Sequence, residues 1–182
     1  MMKDPVIVLP YNDSWPDEFN IIGERIRQAL GDAAIRIDHV GSTSVKGIDA
    51  KPIIDIQISV KQLASLETYK PQLESVGFIH REENPDKTKA YFRERPGTKR
   101  THIHVREHGS WSEQLTLLFR DYLRSHPEAC TTYVKEKHRL MELYRNERES
   151  YVEGKTPVIW SILQQAHSWS QKTGWRPGNS DS

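Results

Sequence analysis

The stretch His39-Val-Gly-Ser-Thr-Ser-Val-Lys-Gly-Ile-Asp-Ala-Lys-Pro-Ile-Ile-Asp-Ile-Gln-Ile-Ser-Val60 decides the fold. Residues 35–40 alternate apolar and polar side chains, the pattern of a half-buried strand. Gly41-Ser42 then makes a turn, a short connection follows, and residues 53–60 form a more apolar run expected to be a central strand. One carboxylate, Asp55, interrupts that run. A carboxylate buried without a partner costs on the order of several kcal/mol. Asp55 therefore calls for a metal ion, a cation or a set of N–H donors.

In a strand, residues two apart share a face, so Asp55 lies beside Ile53 and Gln57. A metal-binding strand would gain from a second carboxylate at 57, and the amide of Gln57 is a poorer Mg²⁺ ligand. Two readings stand for Asp55: a metal ligand, or a structural acid paired with Lys or Arg. The Gly41-Ser42 turn offers backbone N–H groups and a hydroxyl that suit phosphate oxygens. As an ordinary strand-ending turn it would do nothing of the kind. Lys51 follows closely enough to reach the same ligand.

The pair His102-Ile-His104 lies on one face of a second hairpin strand. Neutral imidazoles bind Zn²⁺, Mn²⁺ or Fe²⁺, and imidazolium binds phosphate; on an exposed face the pair would be merely tolerated. A histidine-triad hydrolase would need a third histidine at 106, which is Arg106. Residues 80–108 hold eight basic against five acidic side chains. Bases alternating along that hairpin, Arg93 among them, are candidates for a triphosphate site, or else a solvated charged surface.

Outward from this centre, residues 14–30 read as a helix, with Ser14 as N-cap and Gly31 as the stop. Residues 62–75 have helical composition with a break or restart at Pro71. Residues 78–80 are a short strand. Residues 90–95 and 100–106 flank Pro96-Gly97-Thr98 as a hairpin. Residues 110–124, 127–148 and 151–169 fit helices. In the middle one, Tyr133, Leu140 and Tyr144 are expected on one face. Arg120 and Arg124 sit one turn apart, facing either the cleft or a neighbouring helix. Residues 174–182 are polar and expected to fray. Helices and strands do not alternate strictly, so the expected class is α+β. The expected organisation is an α/β core over 1–107, a helical part over 108–170 packed on the same domain, and a flexible tail over 171–182.

The chain has 182 residues, enough for one sizeable domain. A net charge of +1 provides no global field toward nucleic acid or membrane, so any anion site must be a local cluster. The single cysteine, Cys130, cannot form an internal disulfide, and no leader or membrane-spanning run is evident. A reducing cytoplasm is the expected location.

Taken together, these motifs resemble the GrpB family. The resemblance rests on His39-Val-Gly-Ser-Thr-Ser-Val, Gly47, Ala50-Lys-Pro-Ile-Ile-Asp-Ile, His102-Ile-His-Val and Gly109-Ser-Trp. It also takes in Phe119-Arg-Asp-Tyr-Leu-Arg-Ser-His-Pro with Tyr133 and Lys137, and Tyr11-Asn-Asp-Ser-Trp-Pro with Phe19. It spans about Val8 to Trp169. Lys46 stands where the family usually has proline. The resemblance implies a nucleotidyltransferase-like mixed sheet with flanking helices. That superfamily places Gly-Ser after its first core strand, Asp-x-Asp on the next and a third acid later, and these acids hold two Mg²⁺ ions. Gly41-Ser42 and Asp55 match; Gln57 does not, and His102 and His104 stand on the later strand.

The expected site is thus Asp55 and His104 as catalytic residues, with Gly41, Ser42, Lys51 and Arg93 holding the substrate. Asp55, His102 and His104 would hold a divalent metal, Mg²⁺ or Mn²⁺, with Zn²⁺ as the other choice. The expected ligand is a nucleotide or another phosphorylated small molecule, with neither nucleic acid nor membrane as partner. Three functions compete: metal-dependent nucleotidyl transfer to an unknown acceptor, a non-catalytic nucleotide-binding or regulatory domain, and a metal-dependent phosphohydrolase.

Overall fold

A computed structural model describes residues 5–182. Residues 1–4, with the start of the first expected unit and of the leader reading, lie outside the described residues. Among the described residues, five strands form one mixed sheet in the order β1-β2-β5-β4-β3. They are β1 (Arg36–Val40), β2 (Ile54–Val60), β3 (Phe78–His80), β4 (Ala90–Glu94) and β5 (Thr101–Glu107). β1 runs antiparallel to β2, β2 parallel to β5, and β4 antiparallel to both β5 and β3. The class is α+β, as the sequence implied.

Among the described residues, six helices surround the sheet: α1 (Trp15–Leu30), α2 (Lys70–Ser75), α3 (Trp111–Ser125), α4 (Pro127–Leu143), α5 (Arg148–Gly154) and α6 (Thr156–Thr173). Alternation in the strands separates two faces. Ile54, Ile56, Ile58, Ile103, Val105 and Phe92 join Phe19, Ile22 and Ile26 of α1 and Leu73 of α2 in the main core. Each such side chain contributes about 1.5–3 kcal/mol when fully buried. The opposite face carries Asp38, Asp55, Gln57, His102 and His104, and α3 covers part of it, with Gln57 Nε2 donating to Glu113 O at 3.3 Å. A second cluster unites Val45 and Ile48 of the β1–β2 connection with Leu118, Tyr122, Tyr133 and Ile162 of the helices. A third joins Val6 and Val8 to Leu140 and Tyr151.

Several expected boundaries shift for local reasons. Pro71 starts α2, after a 3-10 turn at Leu66–Thr68. The expected 127–148 helix ends at Leu143, and the expected 151–169 helix divides at Lys155, because Pro157 sits in the first turn of α6 and cannot continue a preceding helix. Ser14 does not cap α1 with its side chain; its hydroxyl donates to Glu18 Oε1 at 3.0 Å instead.

Residues 178–182, within the expected tail, lie against β1. β1 is an edge strand, and its free backbone groups are met by residues 178–182. Ile37 N–H donates to Ser180 Oγ at 2.8 Å, His39 N–H donates to the Asp181 carboxylate at 3.0 Å, and Asp181 N–H donates to Ile37 O at 3.1 Å. An uncovered edge would leave those groups to water or to another strand.

Candidate functional site

A cleft of about 440 Å³ opens over the N-terminal end of β2. The β1–β2 connection gives it Ser42, Thr43 and Lys51, and β2 gives Asp55. His102 and His104 come from β5, Tyr91 from β4, and Asn84 and Lys89 from the preceding loop. Helix α4 supplies Lys137, α5 supplies Arg148 and Tyr151, and Lys155 stands at the α5–α6 junction. Among the described residues, five cationic side chains therefore share the cleft with one carboxylate.

The register puts His102 directly beside Asp55 and His104 beside Gln57. His104 Nε2 stands 3.2 Å from Asp55 Oδ1, and His102 Nδ1 stands 3.5 Å from the same oxygen. Lys89 Nζ lies 3.2 Å from His104 Nδ1. An ammonium can only donate, so Nδ1 accepts from Lys89 and Nε2–H donates to Asp55. Burial pulls the His104 imidazole below its ordinary value despite Asp55, which keeps the ring neutral. Burial alone would raise the Asp55 carboxyl, but the two imidazoles outweigh it and hold the group well below the usual carboxylate range.

Lys137 is only 3% exposed, and its ammonium donates to Ser42 Oγ at 2.9 Å and to the Asp49 carbonyl. It thereby ties the turn after β1 to the far end of the connection. Burial, reinforced by Lys155 and Lys51, brings its pKa down to about 7. Burial and then Arg148, Lys155 and Arg100 bring Lys51 down to about 8. Tyr91 is pushed up to about 12 by burial, so it stays a neutral donor.

Of the residues expected from sequence, Gly41, Ser42, Lys51, Asp55, His102 and His104 come together. Arg93 does not line the cleft: it neighbours His102 in register, but its guanidinium is held by Glu94 at 3.1 Å. Arg120 is buried away from the cleft as a structural cation, 2.9 Å from Asp181, 2.8 Å from Asp121 and 3.5 Å from Asp38. Arg148, Tyr151 and Lys155 were missed, since nothing local marks a helix that folds back over a sheet; Tyr91 was missed as well, though it lies on β4 beside His104. Lys137 carried a signal: it falls between Tyr133 and Leu140 on the buried stripe of α4.

Asp55, His102 and His104, the residues expected to hold a divalent metal, meet at one carboxylate oxygen. The histidine nitrogens are directed at the Asp55 oxygen, one of them carrying the proton it donates, and Gln57 turns its amide to Glu113 O. Among the described residues, no group of three or more His, Cys, Asp and Glu side chains is disposed to hold a metal ion. Nor do the described residues contain a helix long and apolar enough to cross a membrane.

Residues 5–165 match the family described as GrpB protein. The chain belongs to the GrpB family. UPF0157 protein PA4798 of Pseudomonas aeruginosa is 39% identical over 90% of this chain and 68% of that protein. UPF0157 protein YqkA of Bacillus subtilis is 34% identical over 93% of this chain, and a dephospho-CoA kinase of Mycobacterium tuberculosis is 31% identical over 96%. This GrpB-family chain spans about half the length of those two relatives, 49% in each case. Conserved protein GrpB from Enterococcus faecalis superposes with a TM-score of 0.81 at 28% identity, covering 90% of this chain and 99% of that one. Cid1 poly(U) polymerase superposes at 0.52 with 12% identity, covering 72% of this chain and 44% of that one. The fold is therefore nucleotidyltransferase-like; a likeness at that identity concerns the fold alone.

Proposed function

We propose that this GrpB-family chain binds a nucleotide or another phosphorylated small molecule in the Asp55 cleft and transfers a group from it to an acceptor. The observation that carries this reading is the gathering of Lys51, Lys89, Lys137, Arg148 and Lys155 around the Gly41-Ser42 turn. Phosphate oxygens fit there because they accept from ammonium, guanidinium and hydroxyl donors together. Asp55, which accepts from His104, supports this reading as a charged acceptor that can orient the hydroxyl or amine of an acceptor by hydrogen bonding. Cid1, which shares the fold, was solved with Mg 3′-dATP bound, which is in keeping with a nucleotide as ligand.

A non-catalytic nucleotide-binding domain is the second reading, favoured by Gln57 in place of a second acid. Thermal unfolding with a panel of nucleoside triphosphates, diphosphates and inorganic triphosphate tests binding, because a ligand of the native state raises its midpoint. A rise for at least one anion, reduced in Ser42→Ala and Lys137→Met, is expected. No rise for any of them defeats the reading. Release of phosphate or pyrophosphate during incubation separates transfer from binding alone.

A further inference from the structure

We infer that the cleft takes its polyphosphate as the free anion, with lysine and arginine side chains meeting the charge that divalent ions meet in the superfamily. This rests on the phosphate reading above and goes further, by naming the state of the ligand.

Three independent features carry it. The first is the fate of the acid positions. Position 57 holds a fully buried amide turned toward α3, and the position beside Asp55 on β5 holds His102. The remaining carboxylate already accepts from His104. A divalent ion entering here would have to displace the imidazole proton and meet a field set by five cations.

The second feature is the way the cations are held. Lys51 Nζ and Lys155 Nζ lie 4.7 and 5.0 Å from the centre of the Tyr151 ring, and Lys137 Nζ lies 5.0 Å from that of Tyr133. Aromatic faces attract ammonium groups without neutralising them. Among the described residues, Lys89 has a carboxylate within 4.0 Å, at Asp86, while Lys51, Lys137, Arg148 and Lys155 have none. The fold thus keeps four positive groups close together and leaves their charge available.

The third feature is mutual repulsion. Like charges in a partly dry cleft raise one another's energy, and an incoming polyanion relieves all of them at once. Burial first, and neighbouring cations after it, lower Lys51, Lys137 and Lys155. Complexation by Mg²⁺ cancels part of the anion's charge and occupies the oxygens that Lys137, Lys155 and the turn would bind.

Calorimetric titration of inorganic triphosphate and ATP, each in EDTA and in excess Mg²⁺, tests the inference on the full chain. Binding in EDTA should be at least as tight as in Mg²⁺. Lys155→Met should weaken it about tenfold, the scale of one hydrogen bond to a charged group. Asp55→Asn should tighten it, because a negative charge that faces the anion is removed. Binding that requires Mg²⁺ and disappears in Asp55→Asn overturns the inference while leaving the phosphate reading standing. Absence of binding under both conditions overturns both. Far-ultraviolet circular dichroism of each variant separates lost binding from lost fold.

Discussion

Gly41 and Asp55 are packed so closely that no side chain fits at position 41. A Cβ there would stand 2.7 Å from Asp55 Oδ2 and 3.0 Å from Asp55 Cβ. The backbone at Gly41 also has φ +70°, a conformation that side chains disfavour. The glycine lets the turn approach the carboxylate and fixes Ser42 beside it.

Gly41→Ala should therefore be expensive twice over, through backbone strain and through displacement of Asp55. The expected loss is roughly 1–3 kcal/mol of stability, accompanied by weaker triphosphate binding. Urea unfolding and titration measure the two effects. A wild-type unfolding midpoint in this variant would show that the close approach is not needed.

Ligand affinity and stability should respond to pH in opposite directions. The folded-state values of Lys137, about 7, and Lys51, about 8, lie below the unfolded value of about 10.4. Between these limits the unfolded chain binds more protons than the folded one, so these two groups make the stability of the free protein rise with pH. Below pH 7 their full penalty is present; above about 10.4 it is gone. Triphosphate binding needs the ammonium forms, so affinity should fall as pH rises from 7 to 9. Titrations and melts at pH 6.5, 7.5 and 8.5 check both slopes, and Lys137→Met should flatten each of them. A parallel trend in affinity and stability would contradict the assignment.

Asp181 should matter to stability although it lies far along the chain from β1. Its carboxylate accepts from His39 N–H at 3.0 Å and from Arg120 Nη1 at 2.9 Å. Asp181→Ala leaves a buried guanidinium with less compensation and an open edge-strand N–H, at a cost of about 1–3 kcal/mol. Because His39 lies two residues before Gly41, binding should weaken as well. Chemical unfolding of Asp181→Ala against Asp181→Asn measures this; no change in either variant would mean that the docked segment contributes nothing.

Gln57→Asp restores the superfamily's acid spacing, but the tertiary setting argues against recovery of a metal site. Gln57 is fully buried and donates to a backbone oxygen, and Glu113 is itself a buried acid. A carboxylate at 57 loses that donor and adds an uncompensated charge, roughly 3–5 kcal/mol destabilising. Melting with and without Mg²⁺ checks it. Recovery of wild-type stability on adding Mg²⁺ would show that the position can take a metal ligand after all.

Much of the site was legible along the chain because it is encoded locally. Strand alternation places Asp55 with Gln57 and His102 with His104, and a glycine before Ser42 marks the turn. These patterns depend on residues two to five apart, so sequence order alone fixes them. The hairpin at Pro96-Gly97-Thr98 was legible for the same reason.

What the tertiary structure decided is the identity of the cations. Arg93 sits two strands away from Asp55 in the sheet order, yet a local partner, Glu94, holds it out of the cleft. Lys137, Arg148 and Lys155 are 82 to 100 positions from Asp55 in sequence and reach it because α4 and α5 pack back over the sheet. The docked segment 178–182 has no apolar periodicity, since its attachment is made by hydrogen bonds to an edge strand and by Asp181 with Arg120. Hydrophobic periodicity tells which face of an element is buried. It carries no record of which charged side chains from distant elements will meet above that face, because that meeting is set by how the elements pack.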